Sequence, residues 1–202
     1  ISSEKALTME NGLADTLDSS SEVKSWGSFY TKSVSVGNAD GTTETVSLVA
    51  AEDDADMTRY NTFRTRRGHH PIDFNADSAI LTEKTAAQLG LSVGDTFWVE
   101  TPSGSRMELT LTGITENYIY ARLYLSGENF QQYLGSESAE WNTVFGQTTC
   151  QTDAECDDLR STLLACNYIT SVTFTADTTG MLNNLISSLN YVVGLVILCA
   201  AA

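Results

Sequence analysis

Along most of the chain the apolar residues fall in short runs, and the spacing within each run predicts an element. Leu7, Leu13 and Leu17 stand at near-helical spacing among polar residues over 4–18, and serines at 19–21 end the pattern, so the chain opens on an amphipathic helix. Over 23–49 Val, Thr, Phe and Tyr dominate, with alternation in 31–36 and 45–49 and turn residues at Asn38-Ala-Asp-Gly41, which predicts a β-hairpin. A short helix is expected over 57–63. Ala79-Ile80-Leu81 is a short apolar strand; Thr82 is placed to cap a helix through Leu89, and Gly90 stands where a helix end takes a left-handed residue. Val93-Gly94-Asp95 turns the chain into 96–100, Pro102 to Ser105 turns it back, and alternating Leu109, Leu111 and Gly113 within 107–114 predict a second hairpin.

The pattern continues with a strand over 118–125 and a helix from Ser126 that carries Phe130, Tyr133 and Leu134 and ends at Gly135. The last third predicts strand 143–149, helix 153–166, strand 169–175 and a helix from Asp177, with Thr152 or Asp153 and Asp177 as caps. That is a βαβ unit feeding a final helix. Short strands, hairpins and few helices together predict an α+β fold with mixed or antiparallel sheets, in two subdomains. Leu182, Leu185, Ile186 and Leu189 keep helical spacing with no proline between them, so the final helix is expected to run unbroken into the uncharged stretch Tyr191 to Ala202. A membrane crossing needs roughly 20 apolar residues. The stretch 191–202 is the kind that begins one, with a buried C-terminal core helix as the alternative.

Composition narrows the function. The chain has 202 residues, and its 26 acidic against 11 basic residues give a net charge of -15, which repels nucleic-acid phosphates and argues against a DNA or RNA partner. The four cysteines, Cys150, Cys156, Cys166 and Cys199, form no CxxC pair and no Cys/His cluster with zinc spacing. Three of them lie close enough in sequence for one disulfide, Cys150 with Cys166 or Cys156 with Cys166, against the alternative of buried free thiols.

Residues 78–202 resemble the extracellular region of FtsX-like permeases, the large Gram-positive relatives of MacB-type ABC transporters. The resembling stretches are Ala79-Ile-Leu-Thr-Glu-Lys84, Leu89-Gly-Leu-Ser-Val-Gly-Asp-Thr96, Gly113-Ile-Thr-Glu-Asn-Tyr118, and Ser187-Ser-Leu-Asn190 running into an apolar helix. The resemblance implies an extracytoplasmic domain over 1–190, inserted between two membrane helices, with 191–202 opening the second of them. It also implies localisation at the cell membrane on its outer side, attachment to the rest of the permease, and a separate cytoplasmic ATPase. An extracellular protein, lipid or peptide is the expected further partner, no cofactor is expected, and a stand-alone secreted binding or adhesion module is the rival reading.

No feature of the sequence points to catalysis. There is no GxxxxGK[ST] phosphate loop and no GxSxG elbow, and the two histidines, His69 and His70, are adjacent, which disfavours a Ser-His-Asp triad and a metal pair alike. The acidic run Glu52-Asp-Asp-Ala-Asp56 lacks the glycine and terminal glutamate of an EF-hand loop. The candidate partner site is the basic stretch Arg64, Arg66, Arg67, His69 and His70, which an anionic partner would recognise. The bland reading pairs those arginines with Glu52, Asp53, Asp54 or Asp56, each exposed pair being worth about 0–1 kcal/mol. Gly94 and Asp95, and Glu116, Asn117 and Tyr118, carry the family resemblance, and local turn chemistry gives them a structural role.

Overall fold

The chain is seen in a computed structural model that describes residues 13–117, 120–166 and 169–175. Alternation sets the centre. Strand β1 (Val23–Gly37) pairs antiparallel with β2 (Thr43–Ala51) from Phe29 opposite Ala51 to Gly37 opposite Thr43. Asn38 shapes the turn and ties it down: its Oδ1 accepts from the Thr42 amide at 2.9 Å and its Nδ2 donates to the Leu89 carbonyl at 2.7 Å. Gly37 lies beneath the Trp98 indole, where any Cβ would collide with ring atoms and with the Thr42 carbonyl, so only glycine allows this approach.

Around this hairpin the other strands build, among the described residues, one eight-stranded mixed sheet. The strands β3 (Ala79–Thr82), β4 (Thr96–Glu100), β5 (Arg106–Thr110), β6 (Gly113–Thr115) and β7 (Arg122–Leu125) give the order β5-β4-β1-β2-β7-β3-β6. A last strand, β8 (Thr143–Thr148), pairs with residues 23–29 of β1 on the edge opposite β2. Strand β7 runs parallel to β2 and antiparallel to β3, while β6 runs parallel to β3.

The central strands are covered on both faces, and the parity of their side chains shows it. Leu48, Ala50, Ala79, Leu81, Leu123 and Leu125 face a core closed by α3 (Glu83–Gln88) and α4 (Gly127–Leu134). Their neighbours Val49, Ala51, Ile80 and Tyr124 face a second core with Phe29, Met57 and Phe63, closed by α2 (Asp54–Tyr60). A third core joins Leu13 and Leu17 of α1 (Leu13–Ser19), Val144 of β8, Leu159 and Leu163 of α5 (Asp153–Leu164), and Ile169.

Several elements differ from the sequence reading, each for a local reason. The run 107–114 is not one strand: Leu111 turns away to exchange hydrogen bonds with Gly94 and Asp95, and Thr112 transfers the chain to β3, its amide donating to the Ala79 carbonyl and its hydroxyl accepting from the Ala79 amide. The helix expected over 57–63 begins three residues earlier because Asp53 caps it, its carboxylate accepting from the Ala55 amide at 2.9 Å. Thr82 does stand at the N-cap of α3, but its hydroxyl meets that of Thr85 and accepts from the Arg122 amide instead of capping. The strand expected over 169–175 does not form among the described residues, so there is no βαβ unit; its apolar residues Ile169, Val172 and Phe174 pack into the third core. The first helix is described only from Leu13, and the expected helix from Asp177 through the apolar stretch lies outside the described residues. No described helix is long and apolar enough to cross a membrane, and no disulfide joins Cys150, Cys156 and Cys166.

Candidate partner-binding loop

After α2 the chain buries Phe63, which stacks on Phe74 at 5.4 Å and meets the Tyr124 ring edge-on at 4.9 Å. From this anchor the basic stretch leaves the surface and returns as a small closed loop. Arg64 bridges to Pro71, the Thr65 amide donates to the His70 carbonyl at 2.9 Å, and the tip passes through positive φ at Gly68 and His69. The Thr65 hydroxyl staples the inside by donating to the Arg67 carbonyl and accepting from the His70 amide. The loop is therefore built, and its tip presents exposed side chains on a fixed frame.

Its base is fastened to the end of β6. The Glu116 amide donates to the Arg64 carbonyl at 2.9 Å, and the Thr115 hydroxyl lies 3.3 Å from both the Arg64 amide and its carbonyl. The Glu116 carboxylate, only 8% exposed, accepts from Arg64 Nε, and His69 Nδ1 lies 3.6 Å from the same oxygen. Arg66 reaches Glu83 at 3.6 Å with both side chains well exposed. Arg67 and His70 are exposed, and Arg67 makes no ion pair among the described residues. Glu116, one of the residues that carry the family resemblance, and the basic stretch are thus parts of one unit.

The acidic run is used elsewhere. Asp53 caps α2, Asp54 accepts from the Gly127 amide at the start of α4 at 2.8 Å, and Asp56 pairs with Arg59 at 2.5 Å. Arg64 pairs with Glu116 and Arg66 with Glu83, neither with this run, a partnership that no sequence spacing signals because the chain must first fold to bring them together. Among the described residues no group of three or more His, Cys, Asp or Glu is placed to hold a metal ion. Gly94 takes φ +98° in its turn, and Asp95 accepts from the Ser92 amide at 2.8 Å, so both shape the entry to β4. The Asn117 side chain accepts from the Tyr120 amide at 3.0 Å; Tyr118 lies outside the described residues.

No protein-family model and no curated protein matches the chain. Solved structures do. The periplasmic region of MacB from Actinobacillus actinomycetemcomitans superposes with a TM-score of 0.50 at 11% identity, over 89% of this chain and 84% of that one. The fold is that of a MacB-type periplasmic region. The extracellular domain of YknZ, an ABC-type transporter from Gram-positive bacteria, aligns at a TM-score of 0.47 and 16% identity over 78% of each chain. The MacB-type fold agrees with the α+β architecture and mixed sheet read from the sequence, and its 89% of this chain is more than the resembling region 78–202 spans. On this fold the basic loop is an excursion between α2 and β3, held by β6.

Proposed function

We propose that this chain is the non-enzymatic extracytoplasmic domain of an ABC transporter permease, with 1–190 outside the membrane and 191–202 opening a membrane helix. In this reading it engages a partner and relays ATP-driven motion, and a separate cytoplasmic ATPase supplies the energy. The observation that carries the reading is the MacB-type fold. The closeness of α1 to the segment after α5 supports it: the two share the third core, with Cys166 Sγ 3.9 Å from Thr16 Oγ1. A domain inserted between two neighbouring membrane helices needs its entry and exit on one side. The same division suggests the two subdomains, one around β2, β7 and β3 and the other around β8, α1 and α5, with the long β1 common to both.

The loop 64–70 is the proposed contact for an anionic extracellular partner. Arg67 and His70 at its tip make that contact, while Arg64 and His69 hold its shape against Glu116. The test is made in cells carrying the full-length permease. A membrane-impermeant maleimide should label Arg67→Cys in intact cells above the background of the parent protein's own cysteines. Labelling that appears only after lysis overturns the extracytoplasmic placement. In the same permease Arg67→Glu should lower transport or signalling while leaving the domain's melting temperature in place; unchanged activity removes the loop from the contact.

A further inference from the structure

A groove of about 990 Å³ lies between β1, β8 and α5, on the part of the molecule that holds the third core. That volume is at the upper end of the roughly 300–1,000 Å³ usual for sites that take small organic ligands. Val23, Trp26, Val144, Leu159, Val172 and Phe174 give it an apolar wall. Among the described residues its charged lining is of one sign; the Asp18 carboxylate, outside that lining, accepts from the Trp26 indole N–H at 2.8 Å. Lys24 and Arg122 line it and no described carboxylate does, in a chain with 26 acidic against 11 basic residues.

Neither cation is neutralised by a described neighbour. Arg122 is fixed by ladder pairing with Ser47, and its guanidinium has neutral partners: it lies 4.8 Å from the Tyr120 ring centre and donates to the Tyr124 hydroxyl at 3.4 Å. Lys24 is exposed on β1 and makes no ion pair among the described residues. An apolar trough whose described charged lining is positive complements a molecule with an apolar body and an acidic end, because the tail gains by leaving water and the head gains a charge-assisted contact.

We infer that this groove binds an anionic amphiphile, the apolar portion against Trp26 and Phe174 and the acidic group at Lys24 or Arg122. The inference is independent of the permease reading and of the loop 64–70. It is tested by calorimetric titration of the 202-residue chain with three ligands of equal tail, below their micelle concentrations: dodecanoate, dodecyl maltoside and dodecyltrimethylammonium. Dodecanoate should bind saturably with one site and at least about tenfold more tightly than the cationic ligand, the scale of one charge-assisted contact. Lys24→Gln with Arg122→Gln should remove that preference while leaving the weaker binding of the neutral maltoside. Arg106→Gln, whose guanidinium lies over Trp98 on the distant β4–β5 hairpin, should leave dodecanoate binding unchanged. Equal affinity for the three head groups, an equal loss in Arg106→Gln, or no saturable binding by dodecanoate each overturns the proposal. So does an indifferent response of the double variant, provided it melts at the parent temperature; if it does not, the single Lys24→Gln variant on the exposed position is read instead.

Discussion

Glu116 accepts from the Arg64 side chain while its own amide donates to the Arg64 carbonyl, so one residue holds the start of the basic loop twice. The two arginines at either side of Thr65 and Arg66 should then answer differently to charge reversal. Arg64→Glu would set a second negative charge against a carboxylate that is 8% exposed, and since Arg64 itself is 48% exposed the cost falls between surface and buried pairs, about 1–3 kcal/mol. Arg67→Glu changes an exposed charge and should stay within about 0.5 kcal/mol of the parent. Urea denaturation of the two variants checks the contrast, and equal losses would show that the loop is held as a whole. At Gly37 the physics is steric. Gly37→Ala forces a methyl group into the Trp98 ring and the Thr42 carbonyl, and the overpacking should cost about 1–3 kcal/mol, read as a lower denaturation midpoint at unchanged slope.

At the scale of elements, the helix ends show how short-range chemistry sets boundaries. Helix α5 starts in a capping box in which the Thr152 hydroxyl accepts from the Glu155 amide and the Glu155 carboxylate accepts from the Thr152 amide. Thr152→Ala should cost about 1 kcal/mol and fray α5 against the third core, seen as faster amide exchange in its first turn. The Glu155 carboxylate is held below its ordinary pKa, first by the hydrogen bond from the Gln151 amide and then by that from Thr152. A depressed carboxylate stabilises the fold above its unfolded-state pKa and loses that contribution as pH falls through the folded value. Glu155→Gln should therefore flatten the acid limb of the stability curve from the ordinary glutamate range downward, and leave its neutral and alkaline limbs parallel to the parent. An acid limb of unchanged steepness would place the pH dependence elsewhere.

For the molecule as a whole, the decisive contact is the one between α1 and the segment that follows α5. Thr16 Oγ1 and Cys166 Sγ are 3.9 Å apart across a separation of 150 residues. Thr16→Cys should form a disulfide with Cys166 under mild oxidation and raise the melting temperature relative to the reduced protein, by the equivalent of about 2–4 kcal/mol. On the proposed permease reading, the same bond in the full-length protein would fasten the segment before β1 to the segment after α5. If motion is relayed through separation of these ends, oxidation should slow transport and a reductant should restore it. Undiminished transport with the bond formed would require the domain to move as one body.

Much of this architecture is written in local pattern. The β1–β2 hairpin, the turn at Asn38 to Gly41, the Gly90 and Gly135 helix ends and the Thr152 cap all depend on residues within a few positions of one another, and the backbone preferences of those residues act before any tertiary contact forms. The candidate loop was visible as a basic stretch in an acidic chain. What holds it was not: Glu116 lies 52 residues from Arg64, and nothing in either neighbourhood names the other. The same holds for Asp54, which reads as part of an acidic run and serves the first amide of α4, 73 residues away. The fate of 107–114 was likewise decided from outside, when Thr112 found the Ala79 backbone. The absence of a ladder strand at 169–175 was decided in the same way, where packing into the third core took the apolar residues and Ser171 alone of the segment stands at a β-bridge. By itself the sequence determined most of the elements, the turns and the α+β class, because propensity, periodicity and capping are short-range. Only the tertiary structure decided the strand order, the partners of the buried charges and the groove, because each depends on bringing together residues that the chain separates.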